Sequence, residues 1–172
     1  QPTWSSTVRS SRKSRSTNQG PNMGLDCSHN AFSGAYSAFN RLRQFVCAAT
    51  GGSFPPHWMY GPDGEILHDP DGATRYHTQI PSDRFQCGEG YTRDEWPGLF
   101  EFLTHSDCDG EISPTWCTKV ANDLEKLMPQ FEAMRWESSG HLARDGGYVS
   151  VIRQFIDGCR DAAEAGEPLT FS

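Results

Sequence analysis

Residues 148–171, YVSVIRQFIDGCRDAAEAGEPLTF, hold the reading on which the fold turns. Val149, Ile152, Ile156, Cys159 and Ala163 recur at steps of 3, 4, 3 and 4, the spacing of one apolar face of a helix. Gly166 supplies the stop, because glycine accepts the left-handed conformation that closes a helix without steric cost. Glu167-Pro-Leu-Thr-Phe171 is too short and too β-prone to continue the helix, so it predicts a terminal strand. Such a strand needs a partner, and Met23-Gly-Leu-Asp-Cys27 is the other short segment that reads as a buried strand. Between them three more helical stripes appear. Phe32, Tyr36, Phe39, Leu42 and Val46 predict a first helix with Arg41, Arg43 and Gln44 largely off its apolar face, ended by Gly51-Gly52. Trp96, Leu99 and Leu103 predict a short second one after Pro97. Cys117, Val120, Leu124, Leu127 and Phe131 predict a third, with Ser113 as N-cap, Pro114 as its first residue, and a break at Pro129 near Met128. The expected fold is a small single α+β domain, three or four helices packed on a short sheet.

The chain has 172 residues, 35% hydrophobic and 22% charged, enough to bury one core but not two. Mean hydropathy is −0.64 and no apolar run approaches the ~20 residues of a membrane-spanning helix, so the expectation is a soluble protein with no membrane span. Charge is divided unevenly. Residues 1–22 carry Arg9, Arg12, Lys13 and Arg15 and no acid, a local +4; with the chain at −7, the other 150 residues carry −11. A body at −11 repels phosphate backbones, which disfavours nucleic acid as its partner. The first 22 residues have only Trp4 and Val8 as large apolar groups, so they cannot offset their own ordering entropy and are expected to be disordered unless bound. They read as a basic arm, or as a transit-like extension ahead of a domain at 23–172. The expected location is accordingly intracellular, organellar if the extension is a transit segment.

Cys27, Cys47, Cys87, Cys108, Cys117 and Cys159 include no C-x-x-C pair, which excludes a zinc ribbon or a thioredoxin-type motif. Cys47, Cys117 and Cys159 fall on the apolar stripes, where reduced thiols behave as small buried hydrophobes; Cys27 and Cys108, at a strand end and in a polar loop, are expected to be more accessible. Residues 53–92 are rich in Pro, Gly and Asp. Pro62-Asp63-Gly64 and Pro70-Asp71-Gly72 are turn sequences, and Trp58-Met-Tyr60 with Glu65-Ile-Leu67 predicts a hairpin.

Four strings, Met23-Gly-Leu-Asp-Cys-Ser-His29, Gly34-Ala-Tyr-Ser-Ala-Phe39, His105-Ser-Asp-Cys-Asp-Gly-Glu-Ile112 and Gly166-Glu-Pro-Leu-Thr-Phe171, occur in order. Together they resemble a family of small uncharacterised bacterial and phage proteins, and the resemblance spans Met23 to Ser172. It implies Met23 as the ancestral start and residues 1–22 as an addition. It implies no activity, cofactor or catalytic residue.

Chemistry is most concentrated at residues 105–113. Asp107-x-Asp109-Gly110-x-Ile112 matches the middle of an EF-hand loop, but the first position is His105 rather than Asp and the twelfth is Trp116 rather than the bidentate Glu. Imidazole with two carboxylates suits a divalent zinc, manganese or iron ion better than calcium. Asp26 and His29, leaving a predicted strand, can complete a metal site with His105, Asp107 and Asp109 if that strand end abuts the loop. The same Asp-x-Asp-Gly pattern also serves as plain connection chemistry, with Asp side chains bonding the loop backbone. Ser33, Gly34 and Ser37 lie near the predicted start of the first helix, where free amides receive an anion. His141 and Arg144, beside Gly146-Gly147, offer a second amide-rich turn with a cation. His57, His68 and His77 have no ligand spacing and read as solvated. No P-loop, G-x-S-x-G, H-E-x-x-H or Rossmann fingerprint occurs.

Two function classes follow. One is binding or hydrolysis of a small anionic ligand with one divalent metal ion. The other is a non-catalytic interaction module, or an accessory subunit docked on a larger protein assembly by residues 1–22.

Overall fold

Glycine and proline set the element boundaries where the sequence places them. In the computed structural model, which describes residues 24–54, 85–106, 110–138 and 140–172, the elements run β1 (Leu25–Asp26), a 3₁₀ turn (Ser28–Asn30), β2 (Ser33–Gly34), α1 (Tyr36–Ala49) and α2 (Pro97–Thr104). They continue with β3 (Gly110–Ile112), α3 (Pro114–Lys126), α4 (Met128–Ala133), α5 (His141–Arg144), α6 (Tyr148–Ala165) and β4 (Leu169–Phe171). The chain is an α+β domain among these residues. The four long stripes are α1, α2, α3 and α6; α4 is the turn that Pro129 restarts, and α5 is a four-residue addition. The hairpin expected around Pro62-Asp63-Gly64 and the arm at 1–22 lie outside the described residues. No helix among the described residues is long and apolar enough to cross a membrane.

Both α1 and α6 end in the same hydrogen-bonded stop. The Gly51 amide donates to the Ala48 carbonyl and the Gly52 amide to that of Cys47, with Gly51 at φ +81°. At the end of α6, the Gly166 amide donates to Ala163 and the Glu167 amide to Ala162, with Gly166 at φ +69°. Each pair satisfies carbonyls that the last turn would otherwise leave bare.

The terminal strand lies where the sequence predicts it, beside the first. β3 pairs antiparallel with β4, Gly110 opposite Phe171 and Ile112 opposite Leu169, and β1 pairs antiparallel with β2, Leu25 opposite Gly34. A bridge between Cys27 and Phe171 joins the two ladders, reinforced by the Asp26 amide on the Ser172 carbonyl at 2.8 Å and the Ser172 amide on the Asp26 carbonyl at 3.0 Å. This bridge buries Cys27, which corrects its expected accessibility.

Helices α1, α2 and α6 cover the sheet around Phe39, whose ring meets those of Phe32, Phe102, Phe155 and Phe171 at 5.1–6.0 Å. Such edge-on and tilted contacts add to the area each ring buries. A second aromatic cluster, Phe45, Phe131, Trp136 and Tyr148, closes the other end of α1, with Phe45 stacked on Tyr148 at 4.5 Å. Close approach between elements depends on small residues. A Cβ at Gly98 would lie 2.1 Å from the Lys119 carbonyl oxygen, and one at Gly158 would lie 2.5 Å from Ala31 Cβ. The α2–α3 crossing is further fixed by Asp123, whose buried carboxylate accepts the Gly98 and Leu99 amides at 2.8 and 3.2 Å. An acid there satisfies free amides at the positive end of α2.

One helix departs from its expected pattern. α1 is buried around most of its circumference, and Arg43, expected off the apolar face, is fully buried with its guanidinium 4.7 Å above the Phe39 ring and 5.8 Å from that of Phe54. Phe54 and Phe85, packed ring to ring, form the layer that covers this side. A desolvated cation–π contact is worth about 2 kcal/mol, which offsets part of the cost of burying the charge.

Candidate functional site

His105 closes α2 and is almost wholly buried. Its ring stacks on Phe171 at 4.1 Å, and its Nδ1 lies 2.8 Å from the Ser106 carbonyl oxygen. A carbonyl only accepts, so Nδ1 carries the proton in the neutral ring and Nε2 keeps its lone pair. Nε2 faces Gly110 at the start of β3: a Cβ built there would stand 3.6 Å from it. Gly110 has φ +94°, a left-handed conformation that glycine adopts without steric cost. Asp107 and Asp109, the carboxylates expected to join His105, lie outside the described residues.

The strand-end residues are placed differently from the expectation. Asp26 accepts the Ser33 hydroxyl at 2.5 Å across the β1–β2 pair. His29 has φ +53° in the 3₁₀ turn and its Nε2 stands 3.5 Å from the Glu167 carboxylate, beyond the end of α6. Ser28, next to it, accepts the Thr170 amide through its hydroxyl at 2.9 Å. His29 and His105 therefore flank β4 with separate partners. Among the described residues no group of three or more His, Cys, Asp and Glu side chains is arranged to hold a metal.

The residues of the two expected anion turns are placed differently from the sequence reading. Ser33 and Gly34 form β2 rather than the first turn of α1, which starts at Tyr36 after Ala35, and only Ser37 of that trio is helical. At the second turn, the Gly146 amide donates to the Ala143 carbonyl at 3.3 Å and the Gly147 amide to that of Leu142 at 2.7 Å. Both amides thus close α5, in which Arg144 is exposed; the His141 side chain lies outside the described residues.

The sequence reading passed over a second polar feature, where the chain returns at residues 85–90 to the end of α1. Ser53 and Gln86 exchange backbone hydrogen bonds at 2.8 and 3.0 Å. Thr50 is buried, its hydroxyl donating to the Cys47 carbonyl at 2.7 Å and accepting the Gly88 amide at 3.0 Å. The fit is tight enough to require glycine. A Cβ at Gly88 would fall 1.7 Å from the Thr50 carbonyl oxygen, and one at Gly52 would fall 2.0 Å from that of Gln86. Beside this junction lies a cavity of about 330 Å³ lined by Gly51, Gly52, Ser53, Gln86, Cys87, Gly88 and Glu89. Cys47, buried, donates its thiol to the Gln86 carbonyl at 3.4 Å and neighbours the half-buried Cys87. Interaction with Cys47, helped by Thr50 and opposed by burial, draws the Cys87 thiol below its ordinary range, while interaction with Cys87 and burial push Cys47 above it. The signal available in sequence was the pair Gly51-Gly52 and Gly88, whose spacing has no period.

No protein family, curated protein or solved structure matches the chain.

Proposed function

We propose that the domain binds one divalent metal ion at the loop after α2 and, through it, a small anionic ligand. The observation that carries this reading is the state of His105. A metal-binding imidazole commonly donates its second nitrogen to a carbonyl, which orients the ring and leaves the other nitrogen as the ligand. His105 has that arrangement, with Nδ1 on the Ser106 carbonyl and Nε2 toward Gly110. Asp107 and Asp109 follow it in sequence and supply the hard oxygen donors that a mixed His/Asp set requires. In this reading Asp26 and His29 are not ligands, because Ser33 and Glu167 already engage them. The ion would neutralise an anionic group and polarise its oxygen; hydrolysis would further require it to activate a water.

The alternative, a non-catalytic interaction module, is favoured by the number of polar groups with structural partners: Asp26 on Ser33, His29 on Glu167 and Asp123 on the amides of α2.

Elemental analysis and calorimetric titration of the full chain with zinc and with manganese separate the two readings. Stoichiometric uptake that falls at least ten-fold in affinity in His105→Gln, about 1.4 kcal/mol, and falls again in Asp107→Asn supports the metal site. No uptake by the folded wild-type chain overturns it in favour of the interaction module.

A further inference from the structure

The geometry points to Cys47 and Cys87 as a dithiol that exchanges with low-molecular-weight disulfides, with Cys87 as the attacking thiol and Cys47 as the resolving one. The assignment rests on three features of the junction between α1 and residues 85–90. The Cys47 thiol lies 3.4 Å from the carbonyl oxygen of Gln86, the residue before Cys87, and interacts with the Cys87 side chain, so the two sulfurs belong to one cluster in which an S–S bond of ~2.05 Å can form. Cys87 is half-buried on the wall of the cavity, where a small molecule can reach it, whereas Cys47 lies behind it and is fully buried. The backbone on either side of Cys87 is pinned, Gln86 to Ser53 and Gly88 to the Thr50 hydroxyl, which fixes the thiol over its partner without closing the cavity.

Attack requires a thiolate, and the surroundings of Cys87 favour one. Cys47 retains its proton, which it donates to the Gln86 carbonyl, and the Cys47 and Thr50 side chains beside Cys87 both favour its thiolate. Glu89 lines the same cavity, and with a body at −11 it makes the site disfavour anionic reagents and accept cationic or neutral ones.

The exchange balances in two steps. The Cys87 thiolate attacks one sulfur of the small disulfide; a bond forms between Cys87 Sγ and that sulfur, the reagent's S–S bond breaks, and the departing thiolate takes a proton from solvent. Cys47 then attacks Cys87 Sγ, the Cys47–Cys87 bond forms, and the second small thiolate leaves with the proton that Cys47 gives up. Two protein thiols are oxidised, and one small disulfide is reduced to two small thiols. The product cross-links the end of α1 to a point forty positions later in the chain, across the floor of the cavity.

The test uses the full, folded chain with cystamine, a dicationic small disulfide, followed by peptide mapping under acid quench. In the wild type the expected product is a disulfide joining the peptides of Cys47 and Cys87, reversed by dithiothreitol. Cys47→Ala should stop at a single cysteamine adduct on Cys87, and Cys87→Ser should leave Cys47 unmodified. If Cys47→Ala fails to fold, as judged by circular dichroism, Cys47→Ser takes its place; the wild-type map is decisive in either case. The proposal is overturned if Cys87 stays reduced in the folded chain while the urea-unfolded chain is modified, or if Cys87 is found linked to a cysteine other than Cys47.

Discussion

Two pairs of cysteines neighbour each other in this domain, and their surroundings give them different access. Cys117 and Cys159 meet between α3 and α6, both with no exposed surface, and the Cys117 thiol also reaches the Ile112 carbonyl at 3.3 Å. Cys47 and Cys87 meet where a loop returns to the end of α1, with one of the two opening on a cavity. Interaction between the two side chains raises the Cys159 thiol above its ordinary range and draws Cys117 below it, as in the other pair, so the lack of exposed surface is what makes these thiols inert. The chemical groups are the same, and access and anchoring separate them. The α3–α6 side is a core built from large apolar residues, whereas the α1–85–90 side is a junction of backbone hydrogen bonds and glycines.

The strongest way to break this contrast is Phe155→Ala. Phe155 is fully buried and its ring meets those of Phe39, Phe102 and Phe171, so truncation should cost about 3–5 kcal/mol of global stability in denaturant titration. Alkylation of Cys117 and Cys159 should accelerate in step with the unfolded population, roughly ten-fold per 1.4 kcal/mol, while Cys87 should react at its wild-type rate. Parallel acceleration of all three would show that the junction has no independent access.

A smaller effect is expected from Gly88→Ala, because its Cβ would collide with the Thr50 carbonyl oxygen. Overpacking of this kind costs about 1–3 kcal/mol, and here the loop can relieve it by leaving α1. Cystamine should then modify Cys87 without forming the bond to Cys47, and the alkylation rates of Cys117 and Cys159 should hardly change. Retention of the Cys47–Cys87 bond in this variant would mean that the glycine contact does not hold the pair.

The smallest expected effect is a shift in a pH profile. Cys87 has its thiol lowered by the neighbouring Cys47 side chain, with Thr50 assisting, burial opposing, and the Glu89 carboxylate on the same cavity. Its alkylation rate should reach half its alkaline plateau below the ~8.5 of an unperturbed cysteine. Cys47→Ala, without that neighbour, should move the midpoint upward; an unchanged midpoint would remove Cys47 as the cause.

The long helices were legible because their apolar stripes have a period, and the stops of α1, α3 and α6 carried a glycine or proline. The terminal strand was legible for the same reason, since Gly166 and Pro168 leave Leu169–Phe171 no helical continuation. Arg43 was misread because periodicity reports one apolar face, and the layer over the other side of α1 comes from Phe54 and Phe85, on the two sides of a thirty-residue stretch. Ser33-Gly34 was misplaced because a two-residue strand has no period at all. At the candidate site, the residue types around His105 could be read from sequence. The tautomer could not, because it depends on the Ser106 carbonyl being turned back toward the ring. The thiol pair was hidden by its forty-residue separation, since only the folded junction makes Cys47 and Cys87 neighbours.

The position of β4 between β3 and β1 also has a consequence for synthesis. Asp26 finds its second backbone partner in Ser172, 146 positions later. While the chain emerges from the ribosome, the segment at 25–34 has only its own two-residue hairpin, too small to persist in water. The rings of Phe32 and Phe39 likewise wait for Phe155 and Phe171. The α2–α3 pair, closed over Asp123 and Gly98 within some thirty residues, can form while the nascent chain is still growing. Translation thus meets a domain whose middle assembles early and whose beginning stays exposed until residues 169–172 arrive, which makes its first strand the part most in need of protection by chaperones.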